Sequence, residues 1–259
     1  EGAEAIDRAD AGSLPTLIHI DDYNADLHSH THASDGANTI EEMAEAARAR
    51  GYECLAICDH SRSSGQAGGL SVERLLEQID QVRAVNDSMG DDFTVLAGSE
   101  VDILRDGKLD YPNEVLAQLD WVVASVHSNF NLSEAAQTER FLAAMENPYV
   151  RVVGHPTGRL LSRRDPYPLD IAALIAKAVD TGVALELNSA PDRLDLKAEY
   201  CAMARDAGVP ISINTDAHRR ESFESIRYGL ATARRAWLEP KHVLNTWSVE
   251  DIRAFRAPA

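Results

Sequence analysis

An α/β architecture of seven strand–helix units, closed into a slightly irregular TIM-like barrel, is predicted by three features of the sequence. Short apolar, β-branched runs alternate with stretches of helical period, helix start and stop residues punctuate the units, and 259 residues suit one large barrel domain. The apolar runs fall at residues 24–28, 54–58, 94–103, 121–126, 150–154, 183–187 and 210–214. Several are apolar almost throughout, as strands covered on both faces should be. Between them, Thr39-Ile-Glu-Glu42 is a capping box that opens a helix closed by Gly51. Residues 71–86 place Val72, Leu75, Leu76, Ile79 and Val82 on one stripe. Residues 133–146, 169–181 and 197–207 read the same way, the last two ended by Gly182 and Gly208, and further helices are expected at 224–236 and 249–255. Strand, helix, strand in steady order implies parallel strands with right-handed crossovers. An open doubly wound sheet is the alternative, and no Gly-x-Gly-x-x-Gly turn follows the first strand to support its dinucleotide-binding form. Residues 1–20 lack a clear period and read as a linker or boundary segment, leaving 21–259 as the domain.

Composition narrows the class. No apolar run approaches the ~20 residues of a membrane helix. The acidic start, Glu1 onward, has neither the basic nor the apolar region of a secretory signal. Cys54, Cys58 and Cys201 read as reduced core thiols, with Cys54 and Cys58 on one strand face, and a cytoplasmic location is expected. The formal net charge of −17 argues against a general nucleic-acid binder, since few cations remain to release counterions along a duplex. Some of the acid is explained by a solvated surface, and some carboxylates are candidate metal ligands.

The polar residues collect at the ends of the expected strands. His28 and His30 end the first, Asp59-His60 the second, His127 the fourth and His155 the fifth. Glu100 lies near the end of the third, Asp216 and His218 follow the seventh, and Asp35 sits in the loop after the first. In parallel barrels the C-terminal strand ends share one face, and that face carries the active site. Six of the nine histidines therefore converge with Glu100, Asp216 and Asp35. Packed imidazoles are expected to depress one another's pKa and stay neutral, the state that binds metal. Nitrogen and carboxylate donors suit zinc, manganese or iron rather than calcium. About nine donors are too many for one ion and right for two or three sharing a carboxylate bridge. His19 and His242 fall outside the pattern as surface residues, and His32, in the loop after the His-x-His pair, reads as solvated or as supporting the ligands rather than as a ligand itself. For a phosphate substrate, Arg159, Arg163, Arg164 and Arg193 follow strands five and six. Arg159, four residues past His155, is the favoured anchor, with Arg193 beside it.

These residues carry a family resemblance. Asp26-Leu-His28-Ser-His30-Thr with Ser34-Asp35-Gly36, Asp59-His60-Ser61, Glu100-Val-Asp102, Ser125-Val-His127-Ser128, Gly154-His155-Pro156 and Asn214-Thr-Asp216-Ala-His218 resemble the motif set of PHP (polymerase and histidinol phosphatase) domains. Leu109-Asp-Tyr-Pro112, His155-Pro-Thr-Gly-Arg-Leu-Leu161 and the stretch 228–237 are similar to the C-terminal PHP domain of bacterial family X DNA polymerases. The resemblance implies a distorted seven-stranded (βα)7 barrel and a trinuclear centre of divalent transition metals, Mn2+ and/or Zn2+ or Fe. It assigns His28, His30, Glu100 and Asp216 to the first ion, Asp35, His60 and His218 to the second, and His127 and His155 to the third, with Glu100 bridging. Glu100, His127 and Asp216 are the expected catalytic residues. It further implies manganese-dependent 3′→5′ exonuclease or 3′-end processing activity on DNA ends in repair. A polymerase half would then precede Glu1 in the parent chain. Two rival readings are a small-molecule phosphatase of the histidinol-phosphate type and a non-catalytic metal-binding support for a polymerase.

Overall fold

Each apolar run forms a strand in the computed structural model, which describes residues 3–256. The strands are β1 (Ala25–Ser29), β2 (Cys54–Ile57), β3 (Thr94–Asp102), β4 (Trp121–Ser125), β5 (Val152–Val153), β6 (Ala184–Asn188) and β7 (Ile211–Asn214). Every neighbouring pair is parallel, and the order runs from β1 to β7 in sequence. The ends meet through a parallel bridge between Ser29 and Ala217, where His30 N donates to Ala217 O at 2.9 Å. That closure and that order exclude the doubly wound alternative. Among the described residues no helix is long and apolar enough to cross a membrane.

The helices are α1 (Ala3–Asp10), α2 (Ile40–Arg48), α3 (Val72–Met89), α4 (Asn113–Leu116), α5 (Glu134–Met145), α6 (Ile171–Thr181), α7 (Ala198–Asp206), α8 (Ile226–Arg235) and α9 (Val249–Ala254). Thr39 and Glu42 form the expected reciprocal cap of α2, and Ser71, Ser133 and Asp170 cap α3, α5 and α6 through their side chains. The segment expected to be a linker or boundary carries α1, whose single large apolar side chain, Ile6, is left 65% exposed. The chain then returns to the barrel, where Ile18 is buried and its N–H donates to Leu238 O at 3.0 Å.

The barrel interior is filled, not hollow. Ala25, Leu27, Cys54, Ala56, Cys58, Leu96, Trp121, Val123, Val152 and Ala184 pack together inside it, and Leu244, Ile252, Trp247 and Phe255 from the C-terminal segment join this cluster. Cys54 and Cys58 share that face as expected, both are free, and burial pushes the Cys54 thiol up to about 12. A larger apolar layer joins the outer strand faces to the helices. The pairing of β1 with β2 shifts register between Asp26 and Ser29. Such an irregularity re-aims side chains: below it Ala25 and Leu27 fill the interior, and above it His28 and His30 face the barrel mouth.

Candidate metal centre

The donors lie in the last residues of the strands or just beyond them: His28 within β1, Glu100 within β3, and the others in the segments that follow β1, β2, β4, β5 and β7. The structure brings all nine expected donors together around Glu100. His60 Nδ1 lies 2.8 Å from Glu100 Oε2, and His155 Nε2, His127 Nε2 and His28 Nε2 lie 2.8, 3.3 and 3.5 Å from Oε1. His30 Nε2 is 3.0 Å from Asp216 Oδ1, and His218 Nε2 and His60 Nε2 are 3.2 and 3.5 Å from Asp35 Oδ1. Asp35 can return to the cluster because the loop folds tightly on β1. A Cβ at Gly36 would stand 2.7 Å from His30 O, so only glycine fits there. Two donors sit on left-handed backbone, His155 at φ 25 and Asp216 at φ 54. Such backbone costs roughly 1–3 kcal/mol at a non-glycine residue and is concentrated at functional sites.

Short as these approaches are, neither oxygen of Glu100 makes a hydrogen bond, nor do His28 Nε2, either nitrogen of His30, His60 Nδ1 or His155 Nδ1, all of them buried. A buried polar atom left unpaired costs about 1–3 kcal/mol. Atoms this close yet misaligned for hydrogen bonding are aimed at shared points between them. Among the described residues three groups place one donor atom each within 4.8 Å of the others: His28, His30 and Asp216; His30, Asp35, His60 and His218; and His60, Glu100 and His127. The donor set therefore fits divalent transition-metal ions. These groups overlap: His30 and His60 each belong to two, Glu100 falls with His60 and His127, and His155, 2.8 Å from Glu100, belongs to none.

The electrostatics correct one expectation. Burial, then His60 and His218, hold His30 down at about 4, and burial and Arg193 lower His155. The other imidazoles go the opposite way, because carboxylates interleave with the rings. Burial opposes the rise at His60, but Glu100 and Asp35 lift it to about 10. Glu100 and Asp102 likewise outweigh burial at His127, raising it to about 9, and Asp35 and Asp216 do so at His218, also to about 9. His28 is raised by Glu186, Glu100 and Asp216 against burial, and Glu100 is driven well below the carboxylate range by His127, His28 and His60 despite its burial. At about 9 to 10, His60, His127 and His218 hold protons at pH 7 in the metal-free protein, so loading must displace them. The pairings stabilise the metal-free fold fully below the ordinary imidazole value of 6.5, and lose that contribution as pH rises through about 9 to 10. Metal affinity should accordingly climb with pH toward 9, with protons released on binding. Calorimetry at pH 7 in buffers of different ionisation heat checks this, and a proton-free, pH-independent association would contradict it.

Further carboxylates, none of them among the expected donors, orient the cluster. Glu186 Oε1 lies 2.7 Å from His28 Nδ1 and accepts from Asn214 Nδ2 at 2.8 Å, and its Oε2 accepts from His155 N at 2.6 Å. Asp102 Oδ1 lies 2.6 Å from His127 Nδ1. Asp59 ties down the loop bearing Asp35 by accepting from Thr31 N at 2.8 Å and Thr31 Oγ1 at 2.6 Å. The sequence does carry a signal for Glu186: one carboxylate amid the apolar Val183-Ala-Leu-Glu-Leu run. His19 and His32 are exposed and outside the cluster, and His242 caps a short turn.

A cleft of about 480 Å3 opens over the cluster, with Arg193, Arg164, Phe130 and Leu160 on one wall. Arg193 Nε lies 3.6 Å from Asp216 Oδ2. Arg159 does not line this cleft. Its Nε donates to Arg193 O at 2.8 Å and its Nη2 to Leu194 O, so it fastens the loop that presents Arg193. Between His155 and Arg159 the chain turns at Gly158, φ 60, where a Cβ would stand 2.2 Å from the Tyr167 ring.

Comparison with known proteins agrees with this geometry. A family model described as the PHP domain matches residues 26–190. The DNA polymerase/3′-5′ exonuclease PolX of Bacillus subtilis (strain 168) is 46% identical over 239 residues, covering 92% of this chain. The chain spans only 42% of that relative's length. A "Probable phosphatase" of Syntrophotalea carbinolica is 31% identical over 234 residues, covering 85% of this chain and 90% of that one. Among solved structures, a histidinol phosphate phosphatase from Lactococcus lactis, complexed with zinc, L-histidinol and phosphate, shares the fold with a TM-score of 0.58 at 20% identity, covering 83% of this chain and 94% of that one. The chain belongs to the PHP domain family.

Proposed function

We propose that this domain is a metal-dependent phosphodiesterase that trims DNA 3′ ends in repair, as the exonuclease partner of a polymerase domain carried elsewhere in the parent protein. The observation that carries the phosphoesterase reading is the convergence of eight donors around buried Glu100, whose oxygens make no hydrogen bond, in a cleft also lined by Arg193. The nuclease reading is supported by the 46% identical relative whose name joins a polymerase to a 3′-5′ exonuclease. Three ions, manganese or zinc, suit the three donor groups. When bound they supply Lewis-acid charge at phosphoryl oxygens and a nucleophile active at neutral pH. The residues do the rest. Glu100 spaces the donor groups, Asp216 and His127 close two of them, and Glu186 and Asp102 fix the rings of His28 and His127. The Arg193 guanidinium, beside Asp216 and facing the cleft, takes a non-bridging phosphate oxygen.

The smaller-substrate alternative, a phosphomonoesterase, is favoured by the phosphatase relatives that match this chain over nearly their whole length. One panel separates the two: manganese- or zinc-loaded protein with 3′-labelled single-stranded DNA, histidinol phosphate and an aryl phosphate diester. Release of mononucleotides from the labelled end supports the proposal, whereas turnover of histidinol phosphate alone would overturn it. Arg193→Ala should lower kcat/KM on the diester by roughly 1.5–3 kcal/mol, the value of a charge-assisted hydrogen bond. Arg159→Ala should act indirectly, through a loosened 193–194 loop, and lower the melting temperature as well. If Arg159→Ala alone impaired catalysis and Arg193→Ala did not, the assignment of the anchor would be wrong.

A further inference from the structure

The net charge of −17 hides a local reversal. Leu160 and Arg164 line the cleft over the cluster and also a neighbouring depression of about 380 Å3 formed by residues 159–166. Arg159 joins that depression to a third of about 230 Å3, bordered by Lys197, Thr232 and Arg235. The groove so formed starts at the donor cluster and runs outward over the loops after β5 and β6 to α8. Along it stand Arg193, Arg164, Arg163, Lys197 and Arg235, with Arg159 held on backbone carbonyls beneath and with Asp165, Asp192, Asp195, Glu199 and Asp216 as acidic neighbours. The bland alternative is a solvated, self-neutralised surface. Arg163 does pair with Asp192 and Lys197 with Glu199, but both pairs are exposed, and such pairs are weak enough to exchange partners. Arg235 is exposed and makes no hydrogen bond among the described residues, and Arg193 lies 3.6 Å from Asp216 and also faces buried Asp195.

A second, independent feature lies in the same groove. Phe141, buried in the core, stacks on Tyr167 at 6.2 Å and 28°, and Tyr167 stacks on Phe130 at 6.0 Å and 14°. The Arg164 guanidinium lies 4.3 Å above the Phe130 ring, with its Nε donating to Gly158 O at 2.8 Å. A column rooted in the core thus ends on a planar cation at the cleft wall. Guanidinium planes and aromatic faces stack unpaired bases, and a cationic groove beside such a platform is how single strands are held without regard to sequence.

We infer that this groove is a track for single-stranded nucleic acid, in which a base stacks on Arg164 and the phosphodiester backbone leads away along the cations toward Arg235. The inference deepens the phosphodiesterase reading and rests on it for the direction of the strand. A stacked base must be unpaired, so a duplex has to fray before it enters. This also locates a basic face that total charge concealed, confined to one strip.

The test uses the whole chain and a labelled oligothymidylate, followed by fluorescence anisotropy across a salt series and by exonuclease time courses. Arg163→Glu with Arg235→Glu replaces two exposed side chains far from the donor cluster. It should weaken binding by roughly tenfold or more and flatten the salt slope by about 0.7 for each phosphate no longer neutralised. Arg164→Ala should weaken binding to the oligothymidylate but leave an abasic oligomer of equal length nearly unaffected. Melting temperatures report whether each fold is intact, and Arg235→Gln replaces the double variant if that one unfolds. Equal affinity and salt slope in wild type and charge variant would overturn the track, as would no binding by the wild type. Equal losses on both oligomers would overturn the base platform. Binding that depends on the strip without any cleavage would sustain the track while removing the nuclease reading.

Discussion

Glu100→Gln is expected to lower kcat/KM for phosphodiester hydrolysis by roughly 10^2- to 10^4-fold, the equivalent of the 3–5 kcal/mol forfeited when a buried charged pair is broken. The reason lies in the crowding at this one side chain. Four imidazoles approach its oxygens within 3.5 Å, and neither oxygen has a hydrogen bond to fall back on. A neutral amide keeps the shape and removes the anion that joins the donor groups. The substitution also has a signature apart from activity. Glu100 heads the carboxylates that raise His60 and His127, so the variant should hold fewer protons on these rings in its metal-free state and release fewer on loading. Steady-state kinetics and proton-release calorimetry check the two effects. Activity within tenfold of the parent would show that Glu100 neither bridges nor organises the centre.

Glu186→Ala should cost the fold more than any other change at the site. It would strand His28 Nδ1, the His155 N–H and Asn214 Nδ2 without their acceptor, in a place with no exposure at all. Removing one side of a buried charged network costs roughly 3–5 kcal/mol. At about 2–4 °C per kcal/mol for a chain of this size, the melting temperature should fall by roughly 6–20 °C. Glu186→Gln separates support of the fold from orientation of the ligands. The amide still fills the space and its oxygen still accepts one bond, so most of the stability should remain. His28 loses the carboxylate that fixes its ring, and metal affinity should drop by roughly 10- to 100-fold. Unchanged metal affinity in Glu186→Gln would leave the residue as packing only.

Much of the barrel was legible because period and punctuation agreed. Ser71 caps α3 where the stripe of Val72, Leu75 and Ile79 begins, and Thr39 caps α2 through Glu42. The donor histidines were legible for a related reason: a parallel barrel sends every strand end to one face, so placing the strands places the residues after them. Three things were not legible. Helix α1 has eight residues and one large apolar side chain, Ile6, which stays 65% exposed, too little to mark a core-facing element. The protonation of His60, His127 and His218 depends on which carboxylates interleave with them in space, which strand order alone does not reveal. The direction of Arg159 was set by a left-handed turn at Gly158 and by the ring of Tyr167 packed against it, neither of which the His155 motif foreshadows.

We propose that His28, His30, Asp35, His60, Glu100, His127, His155, Asp216 and His218 form one multinuclear metal centre. Native mass spectrometry of the protein reconstituted with manganese or zinc decides this, run beside the double variant His28→Ala, His30→Ala. The parent should carry three ions and the variant fewer; because His28 is the buried partner of Glu186, the variant's melting temperature is measured beside it to show that the loss is of ions and not of fold. A parent that binds no ion, or a variant that keeps the full complement, would contradict the claim.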